Sequence, residues 1–173
     1  VIRTLSTLLS TIVQMYLMQK LTELGVSNIV LFNSERNIAK IKKDKVDSKL
    51  NRWNKIVKEA AEQSKRNVIP DITYVDSLKD LIAFSEKFDS KVVAYEKESV
   101  NEENINLKNL LHSDLSNKEV IAVFGSEGGL SEQEVDFLTE NKFDVIGLGK
   151  RILRAETAPL YFVSCVAYFS EFN

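Results

Sequence analysis

The sequence predicts an α/β fold in which a mostly parallel sheet is flanked by helices. Three observations lead there. Short apolar runs of strand length alternate along the chain with longer segments of helical periodicity, the pattern of a parallel sheet covered on its faces. Two of the runs, Val120–Phe124 and Val145–Leu148, are bounded by glycines, where the backbone must turn sharply. The last segment carries Leu160, Phe162, Val163, Val166, Ala167, Phe169 and Phe172, which leaves little of a helical circumference polar and demands cover from more than one neighbour. At 173 residues the chain is most economically one domain, spanning 1–173, with room for a sizeable core.

The elements follow in order. Ile2–Leu9 reads as a short strand, and Met15–Leu24 as a helix closed by Gly25 just past its end. Val26–Phe32 is a buried strand of Val, Ile, Leu and Phe. Over Asp47–Ser64 the residues Leu50, Trp53, Ile56, Val57 and Ala60 share one helical face, so Trp53 belongs to the core or an interface rather than to a base-stacking platform. Ile72–Val75 is a strand, Ser77–Lys87 a helix, and Val92–Tyr95 a strand with Glu96 at its carboxyl end. Lys97–Asn106 is a polar surface connection and Ile105–Leu111 a short helical turn. After the strand Val120–Phe124, Ser131 opens a helix through a capping box with Glu134, and that helix ends near Asn141. Phe143–Leu148 is the next strand, and Pro159 sits where a proline is tolerated, in the first turn of the final helix.

Composition excludes several classes. Hydrophobic residues at 44% and charged residues at 28% are ordinary for a soluble globular chain. A net charge of −2 argues against a nonspecific nucleic-acid binder. The charge is uneven, however: Arg36–Arg66 holds 11 Lys and Arg against 4 Asp and Glu, a local +7. That run is either a solvated helix face or a set of phosphate contacts. The single Cys165 lies in an apolar run and reads as a buried structural thiol, with nothing arguing for an oxidising compartment. Polar residues interrupt Val1–Leu24 too often for a membrane span or a signal peptide. There is no metal-ligand cluster, no GxGxxG after a strand and no GxxxxGK[ST]. His112, the only histidine, stands in a polar region and reads as solvent-facing rather than as a general base.

The chemistry-bearing residues gather at the two glycine turns. Gly125, Gly128 and Gly129 allow sharp turns and close approach of a ligand to the main chain. Gly147 and Gly149 bracket Leu148, after which Lys150, Arg151 and Arg154 bring cations to the start of the final helix. One such turn would be a tight connection. Two, on consecutive strands and with acidic, cationic and hydroxylic side chains between them, are how a ligand site is built at the carboxyl ends of strands.

The block Gly125-Ser-Glu-Gly-Gly-Leu-Ser131, with Leu148-Gly-Lys-Arg-Ile-Leu-Arg-Ala-Glu-Thr-Ala158, resembles the second and third motifs of the RsmE family. These are S-adenosylmethionine-dependent methyltransferases of the SPOUT, or trefoil-knot, superfamily, acting on N3 of a uridine in 16S ribosomal RNA. The likeness extends through Lys20-Leu-Thr-Glu-Leu-Gly-Val26, Ser34-Glu-Arg36 and Glu59-Ala-Ala-Glu-Gln-Ser-Lys-Arg66, and so covers nearly the whole chain. It implies a C-terminal deep trefoil knot, which periodicity cannot reveal and which chains as a rule avoid. It also implies a cytoplasmic homodimer with each active site near the subunit boundary, 16S rRNA or the small ribosomal subunit as partner, and neither membrane nor metal. An N-terminal PUA-like domain, usual in the family, is not seen in this sequence, and the missing initiator Met suggests that the chain was cut from something longer.

By the same resemblance, Tyr95, Gly125, Ser126, Glu127, Gly128, Gly129, Leu148, Gly149, Ile152, Leu153, Arg154, Thr157 and Ala158 are the residues expected at S-adenosylmethionine. The uridine N3 proton must leave before that nitrogen can attack, which calls for a base or for a cation beside the anionic ring. Arg154 is the candidate cation, and Glu127 is either a base, an orienting group or a turn cap. Arg36, Gln63 and Arg66 are the candidates for RNA contact. Two departures stand out: Ser126 replaces a usual proline, and Ser10–Gln14 replaces a Lys-Gly-Asp-Lys-like stretch. The alternatives are a related trefoil-knot enzyme with another RNA target and a non-catalytic domain that binds RNA or ribosomal particles.

Overall fold

The computed structural model of the chain describes residues 2–7, 11–37, 40–97, 105–115 and 117–172, with backbone alone for 2–7, 11 and 12. Its strands are β1 (Ile2–Thr7), β2 (Asn28–Phe32), β3 (Asp71–Val75), β4 (Ser90–Ala94), β5 (Val120–Phe124) and β6 (Asp144–Ile146). Its helices are α1 (Thr11–Glu23), α2 (Val46–Gln63), α3 (Leu78–Ser85), α4 (Ile105–His112), α5 (Glu132–Glu140) and α6 (Thr157–Phe172). The strands form one sheet in the order β3-β2-β1-β5-β4-β6, and each of their pairings is parallel.

Burial explains why the strands read as unbroken apolar runs. All five residues of β2 and all five of β5 are buried, because helices cover both faces of the sheet. Alternate side chains enter different cores. Ile29, Leu31, Ala122 and Phe124 meet Leu17, Trp53, Val57 and Phe162 from α1, α2 and α6. Val30, Phe32, Ile121 and Val123 meet Leu81, Val135 and Leu138 from α3 and α5 on the other side. The result is a three-layer sandwich. Trp53 is 3% exposed and belongs to the first of these cores.

Local signals set the ends of the elements. Gly25 adopts φ +94° after α1, with its N–H on the Thr22 carbonyl and the Val26 N–H on that of Leu21. Ser77 and Ser131 accept the Asp80 and Glu134 N–H groups and so cap α3 and α5, the latter in a full capping box. Some boundaries differ from the sequence reading. α1 begins four residues before Met15, the turn at Ile105 is a full two-turn helix, and the strand expected over Phe143–Leu148 is only Asp144–Ile146. An edge strand lasts only as long as its partner supports it, and β6 pairs with β4 solely through Val92–Ala94. Leu8 and Leu9, expected to continue β1, and most of the connection Lys97–Asn106 lie outside the described residues. His112 is exposed, with Nδ1 2.9 Å from the Lys108 carbonyl and its ring 5.2 Å from that of Phe169. Among the described residues no helix is long and apolar enough to cross a membrane.

Candidate functional site

A cavity of about 410 Å³ opens at the carboxyl ends of β4 and β5, within the range of roughly 300–1,000 Å³ usual for small-molecule sites. One wall is the turn after β5, from Phe124 to Leu130 without Gly128. The other is the irregular segment between β6 and α6, contributing Leu148, Arg151–Glu156 and Ala158. Ala94, Tyr95 and Glu96 close the side at the end of β4. Parallel strands put both glycine turns on the same edge of the sheet, which is why segments separated along the chain by α5 and β6 face one another.

The glycines serve different ends. Of the glycines in these two turns, Gly129 and Gly149 take positive φ, at +70° and +92°, where an L side chain is strained. Gly125 and Gly128 are needed for closeness instead. A Cβ on Gly125 would lie 2.8 Å from the Gly129 carbonyl carbon, and one on Gly128 would lie 2.8 Å from the Arg36 carbonyl oxygen. Gly128 therefore faces the 34–37 turn, not the cavity.

That turn is held by a residue that the capping pattern alone did not connect with it. Glu134 is 6% exposed, and its carboxylate accepts the Ser131 N–H at 2.8 Å and the Glu35 N–H at 2.9 Å. One side chain thus caps α5 and ties the Glu35–Arg36 backbone to the glycine turn. Arg36 itself is exposed at the rim, with Nη1 3.5 Å from the Leu130 carbonyl. Nearby, Lys97 and Glu132 form an ion pair across the chain. Their mutual hydrogen bond, with their opposite charges, raises the lysine pKa and lowers that of the carboxyl.

Of the residues expected at a cofactor, Tyr95, Gly125, Ser126, Glu127, Gly129, Leu148, Ile152, Leu153, Arg154 and Ala158 line the cavity. Gly128, Gly149 and Thr157 do not. Gly149 turns the chain behind Leu148, and Thr157 opens α6 with its N–H on the Arg154 carbonyl at 2.9 Å and its side chain exposed. Ala94, Glu96, Phe124, Leu130, Arg151, Ala155 and Glu156 complete the lining. Adjacency was the available signal for these, since each neighbours an expected residue at a strand's carboxyl end or in the 148–158 block. Ser126 is 4% exposed, and its Oγ has no hydrogen-bond partner in the structure. The cavity fits a small molecule against the main chain at Gly129, where a Cβ would meet no atom within 4 Å.

Two expected RNA contacts lie elsewhere. α2 connects parallel neighbours, so it starts by the carboxyl end of β2 and finishes by the amino end of β3. Gln63 and Arg66 are therefore at the edge of the sheet opposite the cavity, and Gln63 is exposed there. The Arg66 guanidinium donates to the carbonyls of Thr22, Val26 and Gly25 at 2.7, 2.9 and 3.2 Å. It thereby satisfies the carboxyl end of α1, and burial lowers its pKa. Among the described residues no group of three or more His, Cys, Asp or Glu is placed to hold a metal ion.

The chain is similar to known proteins over most of its length. The RNA methyltransferase domain profile matches residues 4–167. The ribosomal RNA small subunit methyltransferase E of Bacillus subtilis (strain 168) is 43% identical over 156 residues, covering 90% of this chain and 61% of that protein. Its namesake from Mesomycoplasma hyopneumoniae (strain 232) is 34% identical over 149 residues, covering 86% and 61%. A crystal structure of the enzyme of that name from Neisseria gonorrhoeae, bound to S-adenosyl methionine, superposes with a TM-score of 0.80 at 29% identity, covering 94% of this chain and 63% of that one. The chain thus spans about three fifths of the length of these relatives.

Proposed function

The chain belongs to the RNA methyltransferase domain family, within its RsmE group, and we propose that it carries out S-adenosylmethionine-dependent methyl transfer to N3 of a specific uridine in the 16S RNA of the small ribosomal subunit. The observation that carries this reading is the cavity itself, whose two walls are the segments 125–131 and 148–158 in which the RsmE motifs lie. The cofactor supplies a methyl group already activated on a sulfonium, so the protein's work is positioning and charge.

The residues divide that work. Gly125 lets the turn close on Gly129, whose main chain is left open to the ligand, while Leu148, Ile152 and Leu153 present an apolar wall. Arg151 and Arg154 are the cations of the lining, and Arg154 is the one assigned to the uracil ring, whose anion forms as the N3 proton leaves. Glu127, exposed on the facing turn, takes that proton or orients the base. Arg36 at the rim, with Lys42, Lys43 and Lys45 exposed before α2, offers a cationic edge for the RNA backbone on the cavity's side of the sheet.

The assembly reading rests on α1 and α6, which pack together and leave Tyr16, Tyr161, Tyr168 and Phe172 exposed, the last at 74%. A second copy of the chain would cover this aromatic face in a two-fold dimer. The trefoil of the superfamily is supported by the chain's path. After β5 it passes over β4 to the edge strand β6, then returns as α6 to pack against α1 and β1. The cytoplasm, where small ribosomal subunits are assembled and used, is the compartment this function requires.

The experiment is methyl incorporation into isolated small subunits, with the modified nucleoside identified by mass spectrometry. Arg154→Ala should lower the rate by about 100-fold or more, the scale for removing one group that stabilises developing charge. An undiminished rate in that variant would refute the assignment of Arg154, and failure of the folded wild-type chain to bind S-adenosylmethionine would refute the cofactor reading.

A further inference from the structure

We propose that Arg36 and Lys97 form a subsite for one phosphodiester of the substrate RNA, and that the Glu132 carboxylate occupies this subsite until RNA displaces it. The proposal rests on the RNA methyltransferase reading above and deepens it. Three segments meet at this part of the rim: Arg36 follows β2, Lys97 follows β4, and Glu132 stands in the first turn of α5, after β5. In the sheet β5 lies between β2 and β4, so α5 starts between the two cations. All three side chains are exposed and open to a polymer. Lys97 stands beside the cavity, its Nζ 5.9 Å from the ring centre of Tyr95, which lines it. Arg36 reaches the glycine turn, with Nη1 3.5 Å from the Leu130 carbonyl, two residues before Glu132.

Glu132 accepts a hydrogen bond from the Lys97 ammonium, 35 residues earlier in the chain, and the charge of Arg36 joins that of Lys97 in lowering its pKa. A carboxylate held by an ammonium and a guanidinium stands where a phosphodiester would bind, since that group also carries one charge over two oxygens. The pair is suited to exchange. Its side chains are 58% and 63% exposed, and an exposed ion pair contributes little to stability. The tie that the fold needs here is supplied by the buried carboxylate of Glu134, which holds the Ser131 and Glu35 N–H groups. An RNA backbone that reaches both cations replaces the Glu132 carboxylate, and one that reaches neither is repelled by it.

The test compares wild type, Lys97→Ala, Glu132→Gln and the double variant in binding to 16S ribosomal RNA over a range of salt, with calorimetric titration of S-adenosylmethionine alongside. Lys97→Ala should weaken RNA binding and flatten the dependence of log Kd on log salt by about 0.7–0.9, the slope of one phosphate contact. Glu132→Gln should tighten binding by about 2- to 5-fold, the scale of one exposed ion pair that no longer has to open. Most of that gain should disappear in the Lys97→Ala background. A gain of equal size there would mean general repulsion of RNA by the carboxylate and would overturn the exchange. Weaker binding by Glu132→Gln would show that the carboxylate steadies Lys97 for RNA, and would overturn it too. The Kd for S-adenosylmethionine should be the same in all four proteins, and a loss parallel to that for RNA would overturn the assignment to a phosphodiester. RNA binding unchanged in both single variants would overturn the subsite and leave the methyltransferase reading standing. Wild-type protein that binds S-adenosylmethionine but no RNA would overturn the RNA reading and this proposal together.

Discussion

Glu134 is the side chain whose removal should be felt both in stability and at the site. Its carboxylate accepts two backbone N–H groups, from Ser131 at 2.8 Å and from Glu35 at 2.9 Å. Hydrogen bonds to a charged acceptor are worth about 1.5–3 kcal/mol each, and Glu134→Ala removes both. Ser131 is 3% exposed, so its N–H loses the bond with little water to replace it, whereas Glu35 is exposed and recovers part of its loss. The expected cost is about 3 kcal/mol in all. For a chain of 173 residues, each kcal/mol moves the thermal midpoint by about 2–4 °C, so the midpoint should fall by about 6–12 °C. Glu134→Gln keeps one oxygen acceptor and should lose about half as much. The assay is urea and thermal unfolding of the three proteins, with calorimetric titration of S-adenosylmethionine on the folded samples. Affinity should drop in Glu134→Ala, because the Arg36 carbonyl would no longer be held against Gly128. A stability change under about 0.5 kcal/mol, the scale of an ordinary surface substitution, would refute the role of Glu134 as the tie between the two segments.

Gly125→Ala and Gly128→Ala each set a Cβ 2.8 Å from backbone atoms that cannot step aside, whereas Gly129→Ala meets open space and only the strain of φ +70°. The first two should therefore destabilise the chain more than the third, whose cost is about 1–2 kcal/mol; urea midpoints that reverse this order would contradict the close-approach argument. Arg66→Ala should lower the thermal midpoint and leave the Kd for S-adenosylmethionine unchanged, and Arg66→Lys should not restore it, since a point charge cannot reach all three carbonyls of the α1 end. Unaltered stability with weakened RNA binding would instead support the contact expected from the sequence. Cys165 is only half-buried, not fully buried as its apolar run suggests, and that partial burial pushes its thiol above the ordinary pKa and lowers its thiolate fraction at pH 8. Iodoacetamide should accordingly label the native chain far more slowly at that pH than the chain in urea, and equal rates would show the thiol to be open to solvent.

Local physical chemistry was enough to read much of this protein from its residues. The run Val120–Phe124 is a strand because all five of its side chains are buried between two helical layers, and such a run needs no partner information to be recognised. The Ser131 capping box and the Gly25 stop are likewise written in residues three or four apart. The candidate site was legible as two glycine turns, because parallel strands leave the sheet at one edge and their following turns must gather there. The tertiary structure alone decided the rest. The length of β6 depends on Val92–Ala94 lying beside it, and the need for glycine at 128 depends on a carbonyl at Arg36, 92 positions away. Arg66, grouped by resemblance with the RNA contacts, spends its guanidinium on the end of α1 because α2 carries it to the far edge of the sheet. Glu134 shows both levels at once. Its bond to Ser131 follows from local spacing, while its bond to Glu35 exists only once β2 and β5 have brought their turns together, 99 residues apart in the chain. Spacing along the chain determines short-range hydrogen bonds and burial patterns; contacts between distant segments are set by the order in which strands assemble into the sheet, and no local pattern encodes that order.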